Sequence, residues 1–286
     1  MFVITGASGH VGSVAAEALL AKGEKVRVVV RDAAKVERLK ARGAEVFVAD
    51  LTDAAAFARA VRGAKGVFLL SPPDLGAKNF IADRKRQTRE QVDALAAEKV
   101  PHVVLLSSTG AQHASGTGPI VTTHNAEQQL RAAGLAATFV RAGFFIENWG
   151  AVVQAVKSDG VLPSFIAADR RVRSVSTPDI GAAVAQALLD GPRGVRVIEL
   201  GGPSDDSPSD VAAAFSRILG KPVKVVEAPL EAVVPTFTSF GVSEHLAALY
   251  RELYEGLANG TIAPEAGAEH QRGTTPLETT LRTLLG

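Results

Sequence analysis

The first twelve residues run from an apolar strand, Met1-Phe2-Val3-Ile4-Thr5, through a loop with glycines at 6, 9 and 12, and into a helix. No other stretch constrains the fold as strongly. A strand, a glycine loop and a helix in that order form the first crossover of a parallel α/β sheet. The helix start offers unpaired N–H groups and positive dipole potential to a pyrophosphate. Gly6 allows the tight turn, Gly9 lets the backbone approach phosphate, and Gly12 lets the helix pack close to the sheet. Thr5 and Ser8 add hydroxyl donors. Thr5, Gly6, Ser8, Gly9, His10, Val11 and Gly12 are therefore read as the start of a dinucleotide site. The spacing is G-x-x-G-x-x-G, not the commoner G-x-G-x-x-G, so its position in the chain carries the inference.

The rest of the first half repeats the alternation. Strands are expected at Phe2–Thr5, Val26–Arg31, Glu45–Ala49, Gly66–Leu70, His102–Ser107 and Ala137–Arg141. Helical patterns lie near Val11–Lys22, Ala34–Arg42, Ala54–Val61, Phe80–Lys99 and Asn125–Ala133. The strands are short and rich in β-branched residues, as parallel strands buried on both faces are. The fold class is thus α/β, a Rossmann-type doubly wound parallel sheet. Further on, Thr177-Pro178-Asp179 reads as a helix start with Thr177 as N-cap. A strand follows at Val195–Leu200, and Ser207-Pro208 opens another helix. A short strand near Val223–Val226 precedes an amphipathic helical stretch to Leu257. Residues 258–273 read as a loop. Residues 1–150 form the nucleotide domain, with 177–203 returning to its sheet. Residues 151–286 supply most of a smaller, interleaved substrate lobe.

Composition narrows the function classes. A formal charge of +1 offers nothing to a nucleic acid. No apolar run approaches the ~18 residues of a membrane span. The N-terminal stretch lacks a signal peptide's cationic start and cleavage site, so a cytoplasmic location is expected. With no Cys there are no disulfides, thiol nucleophiles or thiolate metal sites. The six His are scattered without metal-ligand spacing, and no metal is expected.

The carboxyl ends of the strands supply the other candidates, because ligands of open α/β sheets bind there. The second strand ends in Arg31, which can pair with a 2′-phosphate. This favours NADP(H) over NAD(H). Asp32 is either the ribose acid or the cap of the next helix. Asp50, followed by Leu51, is either an adenine contact or a loop acid. Leu70, Ser71 and Pro72 border the expected ribose and nicotinamide. Ser107 or Ser108 can polarise a substrate oxygen, although turn chemistry explains both clusters almost as well.

With these motifs assembled, the chain resembles the NmrA-like group of atypical short-chain dehydrogenases/reductases. The resemblance rests on Thr5–Gly12, on Val-Arg-Asp at 30–32, and on Ala-Asp-Leu at 49–51. It continues through Glu127–Gly134, Arg141–Asn148 and Thr177–Gly181. It implies a Rossmann sheet with a small C-terminal lobe, and Phe144, Phe145 and Asn148 near a nicotinamide. It also implies either a quinone- or dye-reductase activity or a cofactor-binding regulator. One departure is informative. The Tyr-x-x-x-Lys pair of catalytic short-chain dehydrogenases is absent, and its places fall at Pro119 and Thr123. His124, one residue off, and His113 are the remaining acid–base candidates. The only tyrosines are Tyr250 and Tyr254.

Reducing a ketone creates a strongly basic alkoxide and needs a general acid. Reducing a quinone creates a phenolate, whose parent phenol has a pKa of about 10, so water can protonate it. The expectation is hydride transfer from NADPH to a quinone-like or conjugated small molecule. The alternative is a redox-sensing regulator that binds NADP(H) without turnover and reports to a protein partner. A homodimer is left open by both readings.

Overall fold

A computed structural model describes residues 1–70 and 74–286. The first half runs β1 (Phe2–Thr5), α1 (His10–Ala21), β2 (Val26–Val30), α2 (Glu37–Ala41), β3 (Glu45–Val48), α3 (Ala54–Val61), β4 (Gly66–Leu69), α4 (Phe80–Ala97), β5 (Val103–Ser108), α5 (Val121–Ala132) and β6 (Ala137–Ala142). Next come β7 (Phe144–Phe145), α6 (Val153–Asp159), β8 (Val161–Ser164), β9 (Val172–Val175), α7 (Thr177–Asp190) and β10 (Val195–Gly201). The chain ends with β11 (Asp205–Asp206), α8 (Pro208–Leu219), β12 (Lys224–Glu227), α9 (Val233–Ser239), α10 (Glu244–Asn259), β13 (Glu269–Arg272) and α11 (Leu277–Leu285).

Eight strands form one parallel sheet in the order β13-β10-β6-β5-β4-β1-β2-β3. Apolar helix faces cover both sides. On one side Ile4, Val28 and Phe68 pack against Ala15 and Leu19 of α1 and Ile180, Val184 and Leu188 of α7. On the other, Val3, Val29 and Leu69 meet Phe57 of α3, Leu95 of α4 and Leu130 of α5. Burial on both faces explains why these strands lack polar alternation. A third core, around Trp149, Leu162, Phe215 and Leu281, joins α6, α8 and α11 into a lobe beside the sheet. A fourth, around Phe80, Val242 and Leu246, seats α10 on α4.

Several local expectations need correction. The N-cap of α7 is Ser176, not Thr177: Ser176 is extended, and its hydroxyl accepts from Asp179 N at 3.4 Å. Thr177 is already helical, and its N–H and hydroxyl both go to Glu147. Helix α5 begins four residues earlier than the pattern Asn125–Ala133 indicates. The hydroxyls of Thr122 and Thr123 bond back to the Pro119 and Ile120 carbonyls, which lets two β-branched polar residues sit in its first turn. The stretch 258–273 is not all loop. It contains β13, which pairs in parallel with β10 at the sheet edge.

Candidate functional site

The strand order reverses between β1 and β4. A cleft of about 1090 Å³ lies at the carboxyl ends of these strands. That exceeds the roughly 300–1,000 Å³ of a single small-ligand site, so a dinucleotide and an acceptor can share it.

The glycine loop forms one wall. Gly6 has φ +61°, a left-handed conformation that suits only glycine here. Gly9 N donates to Gly6 O at 3.0 Å and closes the turn. A Cβ on Gly12 would stand 2.5 Å from Gly6 O, so the helix can approach the loop only without one. No side chain caps α1, which leaves the first-turn N–H groups of His10, Val11 and Gly12 without a helical partner. Gly6, Ser8, Gly9, His10, Val11 and Gly12 all border the cleft. This cradle of uncapped donors fits the diphosphate of a nicotinamide dinucleotide.

Thr5 does not share in it. Its side chain is fully buried, donates to Phe68 O at 2.9 Å and accepts from Leu70 N at 3.2 Å. The hydroxyl ties β1 to β4 and has no face toward the cleft.

Arg31, Asp50 and Leu51 form the end over β2 and β3. Arg31 is exposed, and no described residue hydrogen-bonds or ion-pairs with it. Asp50 accepts from Thr52 N at 2.9 Å and from its hydroxyl at 2.8 Å. These bonds, with the Arg31 charge adding to them, hold its carboxyl below the ordinary range. Asp32 caps the turn that follows through Ala34 N at 3.0 Å and is not on the cleft wall.

Leu70 lines the middle, while Ser71 and Pro72 lie outside the described residues. Ser107 and Ser108 reach the wall from β5. Ser107 is not free to polarise a substrate oxygen. Its hydroxyl donates to Glu127 Oε1 at 2.6 Å, and that carboxylate also takes two bonds from Arg141, at 2.9 and 2.7 Å. The Ser107 proton therefore points away from the cleft and only its lone pairs face a ligand. Ser108 donates to the Thr109 carbonyl at 3.1 Å.

Phe145, Glu147, Asn148 and Thr177 close the far end. Glu147 Oε1 accepts from Thr177 N at 2.8 Å and from its hydroxyl at 2.7 Å, which fixes the loop to the start of α7. Phe144 turns the other way and packs on Trp149, with ring centroids 5.9 Å apart. Neither His113 nor His124 borders the cleft. His124 Nδ1 is 2.8 Å from the Ala111 carbonyl. The structure thus brings the loop, Arg31, Asp50, Ser107, Phe145 and Asn148 to one cleft and leaves Thr5 and both histidines off it.

Residue-by-residue reading misses part of the wall. Arg84, Thr88 and Gln91 of α4 line the cleft although they are buried. Their i, i+4, i+7 spacing puts three polar groups on one helix face, a pattern visible in the sequence. Burial depresses the Arg84 pKa, against the pull of Asp74 and Asp83. Beneath Ser107, Arg141 bridges Glu127, Glu199 at 3.4 Å and Glu265 at 2.6 Å. Burial works against its charge, yet the bonds to Glu127 and Glu265 prevail and raise its pKa. Burial pushes the Glu199 carboxyl up, against bonds from Glu265 N and Thr109.

A doubly wound sheet with a glycine-cradled crossover and a cleft at its switch point defines the Rossmann class. Within that class the chain belongs to the NmrA-like family, which it matches over residues 1–275. It is 29% identical to an NAD(P)H azoreductase of Xenophilus azovorans, covering 89% of this chain and 86% of that one. It is 28% identical to quinone oxidoreductase 2 of Escherichia coli, covering 92% and 90%. The crystal structure of the NADPH-dependent quinone oxidoreductase QOR2 from E. coli in complex with NADPH superposes with a TM-score of 0.83. That match has 27% identity and covers 100% of both chains.

Proposed function

We propose that this protein binds NADP(H) in the cleft and passes a hydride to a quinone-like or related conjugated acceptor. The carrying observation is the uncapped start of α1, open to a cleft large enough for two ligands, with Pro119 and Thr123 where an acid–base pair would stand. NADPH, when bound, supplies the hydride. The first-turn N–H groups of α1 hold the diphosphate, and Arg31 pairs with the 2′-phosphate. Asp50 has an oxygen, Oδ2, left for an adenine donor. Ser107, its proton committed to Glu127, accepts from a ribose hydroxyl. Phe145 and Asn148 bound the nicotinamide end.

Among the described residues the cleft lining contains no Tyr or Lys, and its one histidine, His10, stands in the first turn of α1 at the diphosphate cradle; a quinone does not require a general acid. Two electrons and one proton arrive as hydride, and the phenolate left on the other oxygen is protonated by water. Similarity to an azoreductase and a quinone oxidoreductase agrees with this reading. No observation favours the regulator.

The test pairs binding with turnover. Calorimetric titration should show NADPH binding more tightly than NADH. Arg31→Ala should weaken NADPH by about tenfold or more and leave NADH nearly unchanged, the loss expected for one charge-assisted contact. The protein should oxidise NADPH when given simple quinones. Equal losses for both cofactors would remove the NADP(H) preference, and silence across a panel of quinones would remove the activity.

A further inference from the structure

Thr88 and Gln91 of α4 are only 5% and 3% exposed, and both line the cleft. Polar groups buried to that degree normally have all their partners within the protein. These two do not. The Thr88 hydroxyl makes no hydrogen bond to any described residue. Gln91 Nε2 donates to the Leu51 carbonyl at 3.3 Å, which fixes the amide so that Oε1 is the free atom. Neither Thr88 Oγ1 nor Gln91 Oε1 is among the enclosed unpaired atoms of the described residues, so each opens onto the cleft. A hydroxyl and a pure acceptor, neighbours on one helix face, thus project from a buried wall into the binding space.

Position indicates what they meet. Leu51 follows Asp50, whose Oδ2 is left for an adenine donor, so the bond to Leu51 puts Gln91 at the base end of the cleft. Thr88 stands one turn back, toward Arg84 and Gln87, which bond to each other at 2.8 Å. Adenine carries an amino group on C6 beside an acceptor nitrogen, N7. One amino hydrogen goes to Asp50. The other needs an acceptor and N7 needs a donor, and Gln91 and Thr88 offer one of each.

We propose that α4 reads the N6/N7 edge of the cofactor's adenine: Gln91 Oε1 accepts from the amino group and Thr88 Oγ1 donates to N7. The assignment rests on the NADP(H) reading above and specifies the base that the site accepts. Guanine and hypoxanthine carry a carbonyl oxygen where adenine has its amine, and that oxygen would face the acceptor oxygens of Gln91 and Asp50 without a proton between them. The two side chains select and orient the cofactor and take no part in hydride transfer.

Calorimetric titration with oxidised cofactors tests this without turnover. The probes are NADP⁺, its hypoxanthine form and its 7-deazaadenine form, in which a C–H replaces N7. The wild type should bind NADP⁺ about threefold or more tightly than either analogue. Gln91→Met should weaken NADP⁺ by about three- to tenfold, the range for one hydrogen bond, and leave the hypoxanthine form nearly unchanged. Thr88→Val should weaken NADP⁺ by a similar factor and leave the 7-deazaadenine form nearly unchanged. Equal losses for all three ligands in both variants would show that the side chains act through packing alone. A wild type indifferent to the base would show that no edge is read. Either result overturns the assignment while NADP⁺ binding, and with it the nucleotide reading, stands. A wild type that binds none of the three removes both.

Discussion

Arg141 is 3% exposed and Glu127 and Glu199 are wholly buried, so two carboxylates share one cation inside the protein. Removing the cation leaves both acids uncompensated in a low-dielectric setting. Arg141→Met should therefore destabilise the fold by about 3–5 kcal/mol, read as a lower urea midpoint. Glu265 is 47% exposed, and Glu265→Ala should cost no more than about 1 kcal/mol, the ceiling for exposed pairs. Similar losses in the two variants would mean the network is not the buried anchor described here. His102 gives a pH dependence. Its ring is buried, with Nε2 3.0 Å from the Thr138 hydroxyl. Burial, and then the Arg196 charge, depress its pKa below 6.5, with Asp190 opposing. The unfolded chain thus takes up this proton first. Stability is full above about pH 6.5, falls by about 1.4 kcal/mol per pH unit as acidity increases, and levels off below the folded pKa. His102→Gln should flatten that decline in thermal melts at stepped pH. The sequence shows residue types but not the partners of their protons. Ser107 reads as a donor until Glu127 is found beneath it, twenty residues away, and Thr5 reads as a phosphate ligand until its hydroxyl is found between two strands.

Elements were legible wherever a local rule decides them. β1 to β6 are apolar runs set between turns, and α8 opens with a full capping box of Ser207 and Asp210. The failures share one cause, that tertiary partners override local preference. β13, Glu-His-Gln-Arg, has no strand pattern and exists because β10 offers it an edge. The second helix breaks into a tight turn at Ala33–Val36 and a short α2. The crossover of β1 and α1 gives the sharpest element-level prediction, since it depends on a helix axis approaching a loop. Gly12→Ala places a methyl carbon 2.5 Å from Gly6 O and 3.0 Å from Ala7 Cα, and the backbone must yield. Overpacking of that kind costs about 1–3 kcal/mol. The displaced helix start should weaken NADPH by about tenfold or more in calorimetry, with the circular dichroism spectrum unchanged. Undiminished affinity would show that the diphosphate does not rest on this turn.

At the scale of the molecule, the last quarter of the chain holds the cleft in shape without entering it. No residue after Thr177 lines the cleft. Yet Thr275 binds the Asp179 carboxylate through its N–H at 3.1 Å and its hydroxyl at 2.9 Å. Gln112 reaches the Ala263 carbonyl at 2.8 Å. Leu281 is fully buried in the lobe core, and β13 closes the sheet edge. These ties join segments up to 151 residues apart, a separation at which nothing in a linear pattern marks the pairing. They grip α7 and the loop after β5, and Glu265 in the same stretch holds the Arg141 network, three supports of the cleft wall. A chain ending at Gly260 keeps every cleft residue but loses all of them. It should melt at a lower temperature in a broadened transition, because sheet and lobe no longer share a cooperative core. Its NADPH affinity should fall through disorder at the wall rather than through loss of a contact, and should recover in part on cooling. A truncated chain that melts sharply and binds NADPH like the full protein would show that the N-terminal sheet organises the cleft on its own.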